Sequence, residues 1–309
     1  MLLLFVSATP LQAQPDLSVG SIASPTATVV GASISIESEV FNGGTTTSAA
    51  YRIVLSLQPE PPTSTSMPVE LIRVNRPALL SFSPDFTTSV VDVPDDLTVG
   101  NYRVLLTIDL QGGADSNLSN NSNTSLTTMT VSLAQASVPL HPGLNLVALP
   151  IKPEDPLDSA GLADAVGSPY IARFVTGGDG RGRLQTEVRG MPGEQTFQLE
   201  GNRGYFLLSG SSGSLLISGR PWPPAMLSVS VPAGHSAIAF PRGVPAGQSA
   251  SDLAGLASSP KVSRVEPVGG RGRLVPHLPG LTSPYLLQSG KGYVVSVPSA
   301  RTLSLPEGP

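Results

Sequence analysis

Residues 143–150 read G-L-N-L-V-A-L-P, and 91 residues later residues 234–241 read G-H-S-A-I-A-F-P. Self-similarity at a fixed offset constrains a fold more than local propensity does, because each copy has to build the same supersecondary unit. The echo continues along the chain. Leu162, Ser168-Pro169 and Arg173 return at the same offset as Leu253, Ser259-Pro260 and Arg264. Gly180-Arg181-Gly182-Arg183-Leu184 returns, one residue short of that offset, as Gly270-Arg271-Gly272-Arg273-Leu274. Arg203-Gly204-Tyr205 returns, three residues short, as Lys291-Gly292-Tyr293, and Leu215 and Ile217 return as Leu303 and Leu305. One unit occurs twice, with small losses in loops, and residues 138–220 and 228–307 are expected to be two copies of one small β-rich domain.

The 309 residues exceed what one core organises and leave residues 15–135 for a third domain. Glycine and proline are abundant (32 and 31), only 13% of residues are charged, and 40% are apolar. That balance supports packed cores of short strands joined by turns rather than disorder or long helices. The formal charge of −4 is unevenly spread. Residues 1–135 hold four arginines against eleven acidic residues, a balance of −7, and residues 136–309 come to +3. Neither half has the clustered basic face of a nucleic-acid binder. With no cysteine there is no disulfide, thiolate metal site or thiol catalysis.

Residues 1–14, M-L-L-L-F-V-S-A-T-P-L-Q-A-Q, have a short apolar run followed by small residues. They are similar to the end of a secretory signal peptide cleaved after Ala13, although the charged leading region is missing. The mature chain is then expected to begin near Gln14, and no later segment reaches the ~18 apolar residues of a membrane helix.

Within residues 15–135, Ile34, Ile36 and Val40 alternate with Ser33, Ser35, Glu37 and Glu39. Tyr51, Ile53, Leu55 and Leu57 alternate likewise, as do Tyr102, Val104, Leu106 and Ile108, and residues 126–131 supply a closing strand. A period of two marks half-buried strands, and turn residues such as Asn42-Gly43-Gly44 separate them, so a two-sheet sandwich is expected. Residues 58–69, rich in proline, read as a loop or an edge strand.

This domain resembles the CARDB family, immunoglobulin-like modules named for cell-adhesion-related proteins of bacteria. The resemblance rests on Pro15-Asp16-Leu17, on Val40-Phe41-Asn42-Gly43-Gly44, and on Gly100-Asn101-Tyr102 followed by Asp109, Asp115 and Asn120-Asn121. Asp115 stands where the family usually has Glu. The resemblance implies an exported, accessory, non-catalytic role with no particular ligand. The two later copies resemble the "G-W-N-L-I-S-L-P … G-K-G-Y-W" repeats near the C-termini of bacterial surface and secreted proteins. Leu144 replaces the usual Trp, and His235-Ser236 replace Trp-Asn in the second copy. In each copy a short helix is expected, capped by Asp158 or Ser159 in the first and by Ser249 or Ser251 in the second. Pro221-Trp222-Pro223-Pro224 is expected to be a stiff spacer between the copies.

The three histidines, His141, His235 and His277, fit no metal-ligand spacing, and no nucleophile elbow or phosphate loop is present. No catalytic residue, cofactor or metal is assigned. The candidate surface contacts are Arg181, Arg183, Arg271 and Arg273, whose guanidinium groups can fork onto carboxylates or sulfates of a surface polymer, and Trp222. The competing reading gives the arginine motif to the fold, as a glycine hairpin turn kept in both copies, and it is the preferred one. Asp179 supplies one carboxylate, too few for a calcium loop, and Asp115, Asn120 and Asn121 read as makers of Asx-type turns. Overall the sequence predicts an all-β protein: an immunoglobulin-like β-sandwich followed by two homologous β-rich domains, each with one short helix. The function expected is adhesion or spacing at the cell surface or in the extracellular matrix. Its partners would be other surface proteins or polysaccharide, and neither nucleic acid nor a membrane span is expected. The alternative is a glycan-binding accessory module of a secreted hydrolase system.

Overall fold

Strands dominate the computed structural model, which describes residues 13–62, 67–189 and 196–308. The expected signal segment lies outside the described residues, apart from Ala13 and Gln14. The described chain is all-β with two short helices, and it divides into two units, residues 1–132 and 133–309.

The first unit contains β1 (Leu17–Ala23), β2 (Ala27–Val29), β3 (Ser33–Asn42), β4 (Tyr51–Pro59), β5 (Val69–Arg76), β6 (Ser83–Asp92), β7 (Gly100–Asp109), β8 (Ser122–Thr124) and β9 (Met129–Ser132). One sheet has the order β1-β3-β6, the other β2-β9-β7-β4-β5 with β8 also on β7. The alternation works as the period-two pattern requires. Ile34, Ile36 and Val40 are buried while Ser33, Ser35 and Glu37 face solvent. Across from them Ile53, Leu55, Leu57, Val104 and Leu106 are fully buried on β4 and β7. Strands β5 and β6 go beyond the sequence expectation. On β6 the apolar residues Phe86 and Val90 sit on the exposed face, so hydrophobic periodicity gives no signal there.

Asn42 explains the turn after β3. Its side-chain oxygen accepts from the amides of Asp16 (3.1 Å) and Gly44 (3.0 Å), and its amide donates to the carbonyls of Thr46 (2.9 Å) and Leu79 (3.0 Å). Asp115 accepts from the amides of Leu17 (3.1 Å) and Asn117 (2.9 Å), and Asn120 donates to Asp16 (3.0 Å). These oxygen-rich residues therefore tie a loop to the start of β1.

The second unit contains β10 (Ala134–Leu140), β11 (Gly143–Val147), β12 (Lys152–Pro153), α1 (Ser159–Val166), β13 (Tyr170–Thr176), β14 (Gly182–Val188), β15 (Tyr205–Ser209) and β16 (Gly213–Arg220), which form the first copy. The second copy has β17 (Ser228–Val231), β18 (Gly234–Ile238), α2 (Ala250–Ala257), β19 (Val262–Val268), β20 (Arg271–His277), β21 (Tyr293–Val297) and β22 (Arg301–Ser304). Each helix starts at a residue proposed as its cap. Asp158 accepts from the Gly161 amide at 2.8 Å, and Ser249 and Asp252 form a reciprocal capping box. Left-handed Gly167 and Ser258 end the helices just before the Ser-Pro pairs.

The repeats are read as two small domains from the sequence, and in the structure they share a sheet. Eight strands form one sheet in the order β14-β13-β15-β11-β20-β19-β21-β18, four from each copy. Each copy keeps its own core around its helix. Leu149, Leu162, Tyr205 and Leu207 belong to the first, and Phe240, Leu253, Tyr293 and Val295 to the second. A third cluster, Leu146, Ala172, Phe206, Ala237, Val265 and Val294, draws on both copies.

Candidate functional site

The duplicated motifs meet at the seam between the copies. The Gly182 amide donates to the Ala233 carbonyl (2.8 Å), and Gly272 donates to Pro142 (3.3 Å). Gly204 donates to Ala237 (3.2 Å) and Gly292 to Leu146 (3.1 Å). Ala148 donates to Gly290 (3.0 Å) and Ala239 to Asn202 (3.0 Å). Every bond has its counterpart at the repeat offset, so the copies bind each other as the halves of a two-fold dimer do, each residue pair occurring in both directions. Backbone must come close to backbone here. A Cβ on Gly182 would lie 2.0 Å from the His235 carbonyl oxygen, and one on Gly272 would lie 1.6 Å from that of Leu144. Only glycine fits.

The Gly-Arg-Gly-Arg-Leu motif is thereby divided. Its first part turns the chain: the Gly177 amide donates to the Arg181 carbonyl (2.7 Å), and Gly180 and Gly270 have φ of 73° and 75°. The rest is not turn, as the sequence reading had it, but the opening of β14 and β20. The four arginines are exposed. Arg183 pairs with Asp179 at 3.2 Å, and its charge, after the Arg181 amide, holds the Asp179 carboxyl below its usual range. Among the described residues the guanidinium groups of Arg181, Arg271 and Arg273 have no hydrogen-bond or ion-pair partner. The glycines serve the seam, and the arginines project into solvent.

Trp222 is not available as a surface contact. It is 6% exposed, belongs to the first copy's core, and donates from Nε1 to the Leu149 carbonyl at 2.8 Å. Its ring lies against Gly201, where a Cβ would come within 2.6 Å of the indole. The proline-rich segment is therefore anchored by its tryptophan rather than standing free as a spacer. His277 is 1% exposed and hydrogen-bonded through both ring nitrogens, to Ser251 Oγ (2.9 Å) and Thr282 Oγ1 (3.1 Å).

Tyr205 and Tyr293 are fully buried. Each hydroxyl accepts from a backbone amide, of Glu200 or Gln288, at 2.6 Å and donates to the same residue's carbonyl. This clamp fixes residues 200 and 288 at equivalent places beside two cations, Arg173 and Arg203 in one copy and Arg264 and Lys291 in the other. Arg173 stacks 4.1 Å over Phe197, and Arg264 stacks 3.8 Å over Tyr285. The sequence reading pairs Arg173 with Arg264 and Arg203-Gly204-Tyr205 with Lys291-Gly292-Tyr293 as repeats, but it names neither Glu200 nor Gln288 and assigns no site to them. The signal was present, since the offset that relates Arg203 to Lys291 also relates Glu200 to Gln288.

Among the described residues no group of three or more acidic or histidine side chains is placed to hold a metal ion, and no helix is long and apolar enough to cross a membrane. No curated protein matches the chain significantly. Among solved structures, the chain is similar to the CARDB domain of a Pyrococcus furiosus protein, crystallised in complex with di-metal ions. Identity is 20%, the match covers 38% of this chain and 89% of that one, and the TM-score is 0.30. A β-glucosidase from Listeria innocua in complex with glucose matches at 16% identity over 39% of this chain and 16% of its own, with a TM-score of 0.26. A β-glucosidase from Erythrobacter marinus matches at 11% identity over 38% of this chain and 16% of its own, with a TM-score of 0.27. The family match lies in the N-terminal unit, where the CARDB model covers residues 14–125.

Proposed function

We propose that this is a non-catalytic, exported protein of the cell surface or extracellular matrix, acting as a spacer and adhesion module. Contact with the partner is made by Arg181, Arg183, Arg271 and Arg273. The observation that carries the reading is the division of labour inside the duplicated motif: its glycines are used by the seam, while its arginines reach solvent from strand ends. The CARDB match over residues 14–125 supports the surface setting. Guanidinium groups in this arrangement recognise carboxylates or sulfates through paired, charge-assisted hydrogen bonds, and no covalent step is required. The partner is an acidic surface polymer or the acidic face of another surface protein. The test is attachment of the wild-type chain and of the variant carrying Arg→Gln at all four positions to a polyanionic polysaccharide over a range of salt. Attachment that is lost in the variant, and that weakens with salt in the wild type, supports the proposal. Equal attachment by both refutes it.

A further inference from the structure

A cavity of about 450 Å³ opens at the seam and is lined by Pro139, His141, Arg264, Glu266, Gln288 and Lys291, with Val265 and Pro267 as apolar wall. That volume is in the roughly 300–1,000 Å³ range of small-molecule sites. The pseudo-symmetric place in the first copy shows how the fold uses such a pair of cations. There Glu200 lies 3.9 Å from Arg173 and 3.5 Å from Arg203, so one carboxylate serves both. In the second copy the same clamped position holds Gln288, which is neutral and exposed.

The cations of the second copy are left differently. Arg264 pairs with Glu266 and donates to the Leu286 carbonyl at 3.3 Å, while its Nε is buried without a hydrogen-bond partner. Lys291 is half-buried, and among the described residues the only hydrogen bond of its ammonium is a long one to the Pro139 carbonyl at 3.5 Å. A partly buried ammonium with no counter-charge is costly. Burial, and then the Arg264 charge, push Lys291 below its ordinary value, and burial followed by the Lys291 charge pushes His141 down as well. A neutral His141 adds hydrogen-bonding capacity without more positive charge.

We propose that the Lys291 cleft binds a carboxylate from outside the chain, in the place that the Glu200 side chain fills in the first copy. The group would sit on the Lys291 ammonium, beside the positive charge of Arg264, with Gln288 and His141 as neutral partners. The space suits a carboxylate on a body the size of one sugar acid. The site is separate from the four exposed arginines and stands whether or not they bind a polymer.

Two substitutions test the symmetry argument directly, because they move a carboxylate between equivalent positions. The full chain is titrated with sodium glucuronate and, as a neutral control, with glucose, by calorimetry and amide chemical shifts. The wild type is expected to take up one equivalent of glucuronate, with shifts at Val265 and Gly292 and none with glucose. Sodium acetate producing the same shifts would show that the carboxylate alone is recognised, in keeping with the proposal. Both Lys291→Gln and Gln288→Glu are expected to weaken binding by about tenfold or more, the loss of roughly one charge-assisted contact. Gln288→Glu keeps its melting temperature or raises it, because its own carboxylate fills the site. Glu200→Gln is expected to open a second site and raise the stoichiometry to two. No saturable binding by the wild type would overturn the proposal, as would glucuronate binding that Gln288→Glu leaves unchanged.

Discussion

Gly204 and Gly292 lie backbone against backbone across the seam. A Cβ on Gly204 would be 3.2 Å from the Gly292 Cα, and one on Gly292 would be 3.0 Å from the Gly204 Cα and 2.9 Å from Leu146 Cγ. Gly292→Ala therefore overpacks a place where both neighbours are constrained. The expected cost is about 1–3 kcal/mol, read as a lower urea midpoint with little change in slope. The same substitution at Gly112, where an added Cβ meets nothing but φ is +85°, probes backbone strain without the seam. The two losses should differ in their effect on the second unit, since Gly112 belongs to the first.

Trp222 belongs to a core, so its removal should register as stability and not as binding. Trp222→Ala is expected to cost about 3–5 kcal/mol, as large-to-small core changes do. Trp222→Phe keeps most of the ring but leaves the Leu149 carbonyl without its indole donor, so a smaller loss is expected. Attachment of the folded fraction to an anionic polymer should be unchanged in both.

In the first unit, Asp85 joins Arg76, at 2.7 Å from its Nε, and the hydroxyl of buried Tyr51. Burial alone raises the Asp85 carboxyl, but the hydrogen bonds from Arg76 and Tyr51 outweigh it, and the net shift is below the ordinary value of 3.8. The sign follows from linkage. A carboxyl whose folded value is depressed stabilises the fold fully above the unfolded value, and that contribution is lost as pH falls through the folded value. The stability difference between wild type and Asp85→Asn should thus be full near neutral pH and shrink below about pH 4. A difference that grew on acidification would contradict the assignment. Urea denaturation of the two proteins at several pH values measures it.

Much of the fold is legible because its signals are local. Ile34, Ile36 and Val40 announce their strand by spacing alone, and Asp158 and Ser249 announce their helices by capping chemistry. The partner of each strand is less visible. Gly143 pairs with Gly272, far along the chain, and nothing in the motif around either residue specifies that meeting. Duplication revealed which residues recur but not that they recur because the copies bind each other. Trp222 was misleading for a related reason: prolines on both sides suggest an extended linker, yet the indole has a carbonyl within reach. The Lys291 cleft is formed by residues scattered over both copies, so no short motif marks it, and the difference between Glu200 and Gln288 gains meaning only once the two are seen at equivalent places.

The central claim is that the glycines of the duplicated arginine motif hold the two copies together while its arginines project into solvent for contact. The most direct measurement is thermal unfolding of the second unit in two variants of the full chain, Gly272→Ala and the fourfold change of Arg181, Arg183, Arg271 and Arg273 to Gln. Gly272→Ala forces a Cβ onto the Leu144 carbonyl oxygen and should lower the melting temperature by several degrees, with both copies losing structure together. The arginine variant should melt close to the wild type, since exposed substitutions usually stay within about 0.5 kcal/mol each. A neutral Gly272→Ala combined with a strongly destabilised arginine variant would contradict the claim and return the arginines to the fold.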